Sequence, residues 1–217
     1  MVEADIHDSA INIAHDHYKE TFAYIREREA IRNRLFFFVI GSITLLGILI
    51  RYPENIVEAL SAAEIQGLTL NLSTFPIHVL ISSNWMVLAV IILRYYQCMV
   101  DIERQYDYLH LLEDKIKLYF RRNEIDIPYR REGQHYLNNR AVFANWVWFF
   151  YTIIVPIAVC SAMLSIFIFS WQLHNIRWYH LAFDGLMMLA ALGSVLLYTY
   201  TNHFGKEQTT NSDRRYE

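Results

Sequence analysis

Four long runs of apolar residues, separated by charged segments, constrain this chain more than any other feature of its sequence. The runs are residues 35–50, 76–93, 146–169 and 178–201. At about 1.5 Å per helical residue, the last two are long enough to cross the roughly 30 Å hydrocarbon core of a bilayer. The first run spans only about 24 Å, but arginines at both ends can reach outward to the headgroups. Four such runs make a soluble helical bundle improbable, and we predict four transmembrane helices.

Aromatic residues lie mainly at the ends of these runs, where tyrosine and tryptophan rings can sit among lipid headgroups. Trp85 is the exception because it lies in the middle of the second run, and we expect it to pack against another helix. The positions near the ends of the runs are Tyr52, Tyr95, Tyr96, Trp146, Trp148, Trp171, Trp178, Tyr179, Tyr198 and Tyr200.

Lysine and arginine residues are distributed unevenly among the segments that connect the runs. The N-terminal segment holds five of the 19, the segment between the second and third runs nine and the C-terminal tail three. The two remaining segments hold only Arg51 and Arg177. Because basic segments stay on the cytoplasmic side during insertion, we predict cytoplasmic termini and a cytoplasmic middle segment. If the chain is prokaryotic, the membrane would be the bacterial inner membrane. The first thirty residues contain no apolar signal-peptide core, so the first run would serve as the insertion signal.

The predicted fold class is therefore all-α: a polytopic membrane protein with four transmembrane helices and cytoplasmic helical extensions. The predicted segments are a cytoplasmic amphipathic helix (1–34), the first span (35–50), an outer loop (51–75), the second span (76–93), a cytoplasmic helical loop (94–145), the third span (146–169), a short outer loop (170–177), the fourth span (178–201) and a cytoplasmic tail (202–217).

Both cytoplasmic extensions carry apolar residues at helical spacing, without helix breakers. Glycine and proline are absent from residues 77–122, which predicts one helix of 46 residues and about 69 Å. No glycine or proline precedes Gly41 either, so the N-terminal helix should continue into the first span. A second short helix is expected over 134–145. The amphipathic helices can pair with each other, pair with another copy or lie on anionic lipid; mixed charges favour pairing with each other.

Asp184 is the one acidic residue within a predicted span, and it lies roughly 9 Å below the outer interface. Ionisable groups at such depths are costly and often mark ion or proton paths. Polar residues of the second and fourth spans fall in the same outer half: His78, Ser82, Asn84 and His180. We predict that they form a polar cluster with Asp184. Such a cluster would either line a water-filled vestibule or lock the bundle by hydrogen bonds between helices.

Pro156 lies in the middle of the third predicted span and is a candidate hinge, because proline removes a backbone donor and kinks a helix. Simple shape fitting is the alternative. Small residues at four-residue spacing would let helix backbones approach closely, which favours packing or oligomerisation. These pairs are Ala158 with Ala162, Ser161 with Ser165, and Ala190 with Ser194.

No pattern in the sequence predicts catalysis, a bound metal or a cofactor. Glycine-rich phosphate loops, nucleophile elbows and HExxH motifs are absent. His15 and His17 point to different sides of a helix, and Cys98 and Cys160 lie far apart in sequence, so neither pair predicts a metal site. A net charge of −3 provides no excess of basic residues for nucleic acid. We therefore expect the lipid bilayer as a partner and no direct binding to nucleic acid.

Three classes of function remain. The first is a homo-oligomeric, channel-like or membrane-perturbing effector that is controlled through the cytoplasmic helices. The second is a non-conducting anchor or sensor subunit that recruits a soluble cytoplasmic partner. The third, an enzyme acting on lipid, has no supporting motif. The arginines that flank the elbow at 125–132 are a candidate dock for the soluble partner: Arg121, Arg122, Arg130 and Arg131.

The layout also carries a resemblance. Four spans, with RLFFFVIGSITLLGILI leading and DIERQYDYLHLLEDKIKLYF between the two helical hairpins, resemble the small membrane components of bacterial antiphage systems, such as the membrane subunit of the Kiwa system. The resemblance concerns architecture along the chain. It implies membrane-linked sensing or effector action, homo-oligomerisation and a soluble partner, and it assigns no functional residue.

Overall fold

A computed structural model describes residues 2–62, 76–122, 146, 149–172 and 177–213. Among these residues no strand occurs, and only Tyr52, Pro76 and Arg177 lie outside a helix. Four of the described helices are long and apolar enough to cross a membrane. The chain is therefore an all-α, multi-pass membrane protein, and this part of the sequence prediction is confirmed.

The helices are α1 (Val2–Arg51), α2 (Pro53–Ala62), α3 (Ile77–Arg122), α4 (Val155–Gln172) and α5 (Trp178–Asp213), with a π-helical turn over Phe150–Ile154 immediately before α4. The 46-residue helix predicted over 77–122 is confirmed by α3. The unbroken passage of the N-terminal helix into the first span is confirmed by α1, which has 50 residues. A run without proline lets the backbone hydrogen bonds continue from each turn to the next, which explains both lengths.

Two further helix ends differ in position from the predicted spans. The helix α4 continues three residues past the predicted end of the third span, and α5 continues into the predicted tail. Helical hydrogen bonds do not require an apolar environment, so a helix can extend beyond the apolar run that defines a span. The short helix predicted over 134–145 lies outside the described residues, as do residues 63–75 of the outer loop predicted over 51–75.

The chain divides into two compact units. Residues 1–34 and 97–152 form one, which we call the polar unit, and residues 35–96 and 153–217 form the other, which we call the membrane unit. Both α1 and α3 contribute residues to each unit without a break in the helix.

In the polar unit, α1 and α3 bury their apolar stripes and exchange hydrogen bonds. The Tyr18 hydroxyl donates to Glu113 Oε1 at 3.1 Å, and the Tyr24 hydroxyl donates to Asp101 Oδ2 at 2.9 Å. Arg28 Nε lies 3.4 Å from the same Asp101 oxygen. The two amphipathic segments therefore pair with each other, as their mixed charges favour. The buried apolar side chains are Tyr18, Ile25, Ile102, Leu109, Leu112 and Ile116.

In the membrane unit, large side chains fill the interior and others cover the outside. Trp85 is fully buried and meets Phe167 of α4 edge-on, with ring centroids 6.5 Å apart, so its expected packing against another helix is confirmed. Phe37 and Leu196 are among the many large apolar side chains that remain exposed. Such an apolar exterior suits lipid and would be costly in water. The buried core contains Val39, Leu46, Leu49, Ile81, Trp85, Leu88, Ala89, Ile92, Met163, Met188, Ala191 and Val195.

The buried hydrogen bond between Tyr18 and Glu113 should contribute measurably to the stability of the polar unit. We expect Tyr18→Phe to lower the free energy of unfolding by about 1–3 kcal/mol, because it removes the hydroxyl donor from Oε1 of the buried Glu113 carboxylate. His110 Nδ1 lies 3.7 Å from the other oxygen, Oε2, and does not replace this donor. Tyr24→Phe is the matched control: Asp101 is partly exposed and keeps Arg28, so we expect a smaller loss. Denaturant unfolding of the full chain in detergent, followed by helical circular dichroism, measures both. Equal losses in the two variants would contradict the prediction.

Candidate functional site

The candidate site is centred on Asp184, which lies in the second turn of α5 within the membrane unit. Its side chain is 1% exposed. A side-chain hydrogen bond joins its carboxyl group to Ser82 of α3. Its Oδ1 atom has no hydrogen-bond partner among the described residues. A buried carboxyl group with one oxygen left over is expensive in a membrane protein, so this position needs a physical explanation.

Two histidines complete a cluster around Ser82 and Asp184. Ser82 Oγ lies 3.4 Å from His180 Nδ1, and the rings of His180 and His78 have centroids 6.0 Å apart. His78 and Ser82 are four residues apart on α3, and His180 and Asp184 are four apart on α5. Because residues four apart share a helix face, each helix presents two polar groups to the other. We call these four residues the outer cluster.

Asn84, which the sequence places with these residues, belongs to a different contact. Ser42 of α1 donates its hydroxyl to Asn84 Oδ1 at 2.7 Å, and Asn84 Nδ2 donates to the Ser42 carbonyl at 3.0 Å. Residues two apart on a helix are rotated by about 200°, so Asn84 faces α1 while Ser82 faces α5. The sequence prediction rested on depth in the membrane alone, and it missed Ser42, the partner polar residue in the first span.

The outer cluster suits proton exchange better than metal binding. No group of three or more His, Cys, Asp or Glu residues in the described parts of the chain is arranged to hold a metal ion. A hydroxyl between an imidazole and a carboxyl group can accept a proton on one side while it donates one on the other. His78 Nδ1 is a second buried atom without a partner in the described structure. The cluster thus combines two titratable rings, one hydroxyl and one carboxyl group.

Pro156 lies near the start of α4 and not in its middle. The π-helical turn ends at Ile154, and Pro156 is the second residue of the α-helix that follows. Proline offers no N–H to the carbonyl four residues earlier, at Thr152, and the hydrogen-bond register changes from π to α at this point. The described chain is helical without a break from Phe149 through the π-helical turn to Gln172, so Pro156 lies inside this helical stretch. The predicted hinge stays a prediction.

The candidate partner dock falls largely outside the described residues. Arg121 is exposed in the last turn of α3, and Arg122 is the last residue of that helix. Arg130, Arg131 and the side chain of Arg122 lie outside the residues that the structure describes. The dock therefore stays a prediction.

The polar unit contains a further charged contact, at Asp101. A hydrogen bond with Tyr24 and the nearby carboxylate of Asp101 raise the pKa of Arg28, which keeps this guanidinium charged. The Cys98 thiol donates to the Arg28 carbonyl at 3.3 Å, and burial raises the pKa of that thiol. A buried, protonated thiol is a poor nucleophile. This contact therefore has the properties of structural packing between α1 and α3.

Comparison of the chain with models of known protein families, with curated proteins and with solved structures finds no match in any of the three.

The Ser42–Asn84 contact makes a prediction about coupling between α1 and α3. We expect Ser42→Ala and Asn84→Ala each to destabilise the chain, and the double variant to lose less than both losses together, with a coupling of about 0.5–1.5 kcal/mol. Ser42→Ala combined with Ser82→Ala is the control pair, because these two residues bond in different contacts, and their losses should add. Unfolding in mixed micelles measures both cycles. Coupling in the control pair as large as in the first would contradict the separation of Asn84 from the outer cluster.

Proposed function

We propose that this chain is a non-enzymatic membrane effector that assembles into homo-oligomers, forms a channel-like or membrane-perturbing assembly, and is controlled through its cytoplasmic helices. The proposal places both termini in the cytoplasm, on the strength of the basic segments. The observation that carries it is the buried Asp184 carboxyl group, whose Oδ1 atom lacks a partner in the described structure. Ionisable groups inside membrane spans are retained at a cost and commonly serve ion or proton movement.

A purely structural lock would not require an ionisable group. An asparagine could accept the Ser82 hydrogen bond without the cost of a buried acid, as Asn84 does with Ser42 elsewhere in the membrane unit. The Oδ1 atom of Asp184 instead has no hydrogen-bond partner among the described residues, and the carboxyl group interacts electrostatically with His180. These features favour a group that changes its protonation over a group that only holds two helices together.

The packed interior of the membrane unit favours a path between copies. Trp85, Leu88 and Met163 are fully buried and occupy the middle of the unit. Ions crossing within one copy would have to displace such side chains, which close packing makes costly. Exposed small residues on α4 and α5, Ser161 and Ala190 among them, would allow close approach of neighbouring copies. In this proposal the outer cluster controls the assembly from inside each copy and does not line its pore.

Reconstitution into liposomes tests the proposal. We expect purified full-length protein to release an enclosed small dye or potassium ions at a rate that rises steeply with protein density, because several copies must meet. Asp184→Asn should change that rate by about tenfold or more, since it removes the titratable group while keeping its size. Thr44→Val is the control, because it removes a span hydroxyl that donates to the Ile40 carbonyl of its own helix, away from the outer cluster.

Liposomes that stay tight to both dye and ions at every protein density would contradict the channel-like function. An Asp184→Asn rate equal to that of Thr44→Val would contradict the role given to the outer cluster.

A second function, a membrane anchor or sensor that recruits a soluble partner, is favoured by the exposed end of α3. Leu111, Leu118 and Arg121 are exposed there within three turns of one helix. Apolar and arginine side chains together are typical of protein interfaces. The resemblance in layout to antiphage membrane components supports the same idea and a role in antiviral defence.

A pull-down with charge-reversed variants separates this function from the first. We expect the double variant Arg130→Glu, Arg131→Glu to lose a cytoplasmic partner that the unaltered chain retains. The arginines would bind an acidic surface of the partner, and glutamates at the same positions would repel that surface. The double variant Arg214→Glu, Arg215→Glu makes the same charge change in the tail and should keep the partner. An unchanged partner set in the first variant would contradict the dock.

A further inference from the structure

We infer that Asp184 is a proton-binding site, loaded and unloaded from the Trp178 end of α5 through His180 and Ser82. This inference rests on the proposed role of the outer cluster and names the ligand that the cluster takes: a proton. It is carried by the order of the groups in space, since an imidazole, a hydroxyl and a carboxyl group follow one another from the helix end inward.

The entrance to this path lies at the beginning of two helices. His180 is the third residue of α5, and His78 is the second residue of α3. Trp178 and Tyr179, which precede His180, are both exposed, with the exposed fraction of Trp178 at 79%. Tryptophan and tyrosine at a span end mark the headgroup region, where water is available. An imidazole has one nitrogen that can accept a proton and another that can donate one, so a ring at this position can exchange protons with water.

Ser82 connects this imidazole to the buried acid. Its Oγ atom lies 3.4 Å from His180 Nδ1, and its hydroxyl group is hydrogen-bonded to the Asp184 carboxyl group. When His180 is an imidazolium, its Nδ1 proton passes to Ser82 Oγ while the Ser82 hydroxyl proton passes to an Asp184 carboxylate oxygen. The imidazolium becomes neutral imidazole, the carboxylate becomes a carboxylic acid, and Ser82 ends as it began, so charge and atoms balance. The reverse step unloads the site.

The path ends at Asp184. The next residues on the same face of α5 are Met188, Ala191 and Val195, and all three are buried. None of them can accept or donate a proton, and no water can replace them in a closely packed core without rearrangement. The proton is therefore a ligand of the cluster and not a substance that crosses the copy through it.

Few charged groups act on this carboxyl group. His180 is the described titratable group that interacts with it electrostatically, and His78 of α3 faces His180. The other two helices packed into the membrane unit bring non-titratable groups here: α4 places Phe167 against Gly185, and α1 bonds to α3 through Ser42. Burial is the largest influence on the protonation of Asp184, followed by the hydrogen bond with Ser82 and then by the charge of His180.

Loading the site changes the contact between α3 and α5. A neutral carboxylic acid can stay buried at low cost, whereas a carboxylate there requires the positive charge of His180 or access to water. A rise in pH at the Trp178 end thus deprotonates Asp184 and weakens the packing of α5 against α3. This is the change by which pH on that side would act on the assembly.

Infrared difference spectroscopy of the full-length protein in lipid tests the inference directly. The carboxylic-acid C=O stretching band that is present in the unaltered chain and missing from Asp184→Asn belongs to Asp184. We expect this band to disappear reversibly as pH rises within the range of about pH 4 to pH 9, in which buried acids and histidines titrate. A band that keeps its intensity across this range, or no Asp184 band at any pH, would overturn the inference. Asp184→Glu, which shifts the band without removing the acid, provides the assignment if the Asn variant does not fold.

The route is tested by the rate of exchange after a pH jump. We expect Ser82→Ala to slow the change of the Asp184 band by roughly 100-fold, the lower end of what a positioned proton-transfer group contributes. Ser83→Ala is the matched control, because Ser83 is the exposed neighbour of Ser82 on the same helix and should leave the rate unchanged. Equal rates in the two variants would overturn the route through Ser82.

The side of entry is tested in vesicles that hold the protein in one orientation. The band should follow the pH on the side of Trp178, and a band that follows only the pH of the opposite side would overturn the path. These measurements do not depend on conduction. Tight liposomes with a titrating band would refute the channel-like function and leave the proton site standing, whereas leaking liposomes with an unchanging band would do the reverse.

Discussion

The interior of a lipid bilayer offers no hydrogen-bond partners, and the rest of this structure depends on that constraint. Helices satisfy every backbone group within the segment, which is why all described spans are helical. Hydroxyl groups in the spans follow the same rule by donating to carbonyls one turn earlier in their own helix: Ser165, Ser170, Ser194 and Thr199 do so. Among described side chains, the buried exceptions with a polar atom left over are His78, Trp85 and Asp184.

The interactions that hold α1 against α3 differ between the polar unit and the membrane unit. In the polar unit, Tyr18 and Glu113 join them through a buried hydrogen bond, and Arg28 adds a charged contact with Asp101. In the membrane unit, large side chains such as Trp85 pack the interior. Because lipid is as apolar as these side chains, their association there depends on close packing and on a few polar contacts.

The outer cluster is the place where this balance can be altered by a small ligand. The carboxyl group of Asp184 is buried, and a neutral side chain at this position would cost less free energy to bury. Ser82 and His180 connect this carboxyl group with one end of α5. The packed residues beyond it close the interior of the copy. A protonation change there alters how two spans fit together, which is the kind of local electrostatic event that biases larger assemblies.

The sequence by itself determined the fold class, the number of spans and the length of α3, because hydropathy and the absence of glycine and proline are local properties of the chain. It also determined that Asp184, His78, Ser82 and His180 lie at similar depth, since depth follows from counting along a helix. Only the tertiary structure decided that Asn84 faces Ser42, that Trp85 meets Phe167 and that a π-helical turn precedes Pro156. Those outcomes depend on how each helix is rotated about its axis and on which neighbour it meets, and no local pattern specifies either.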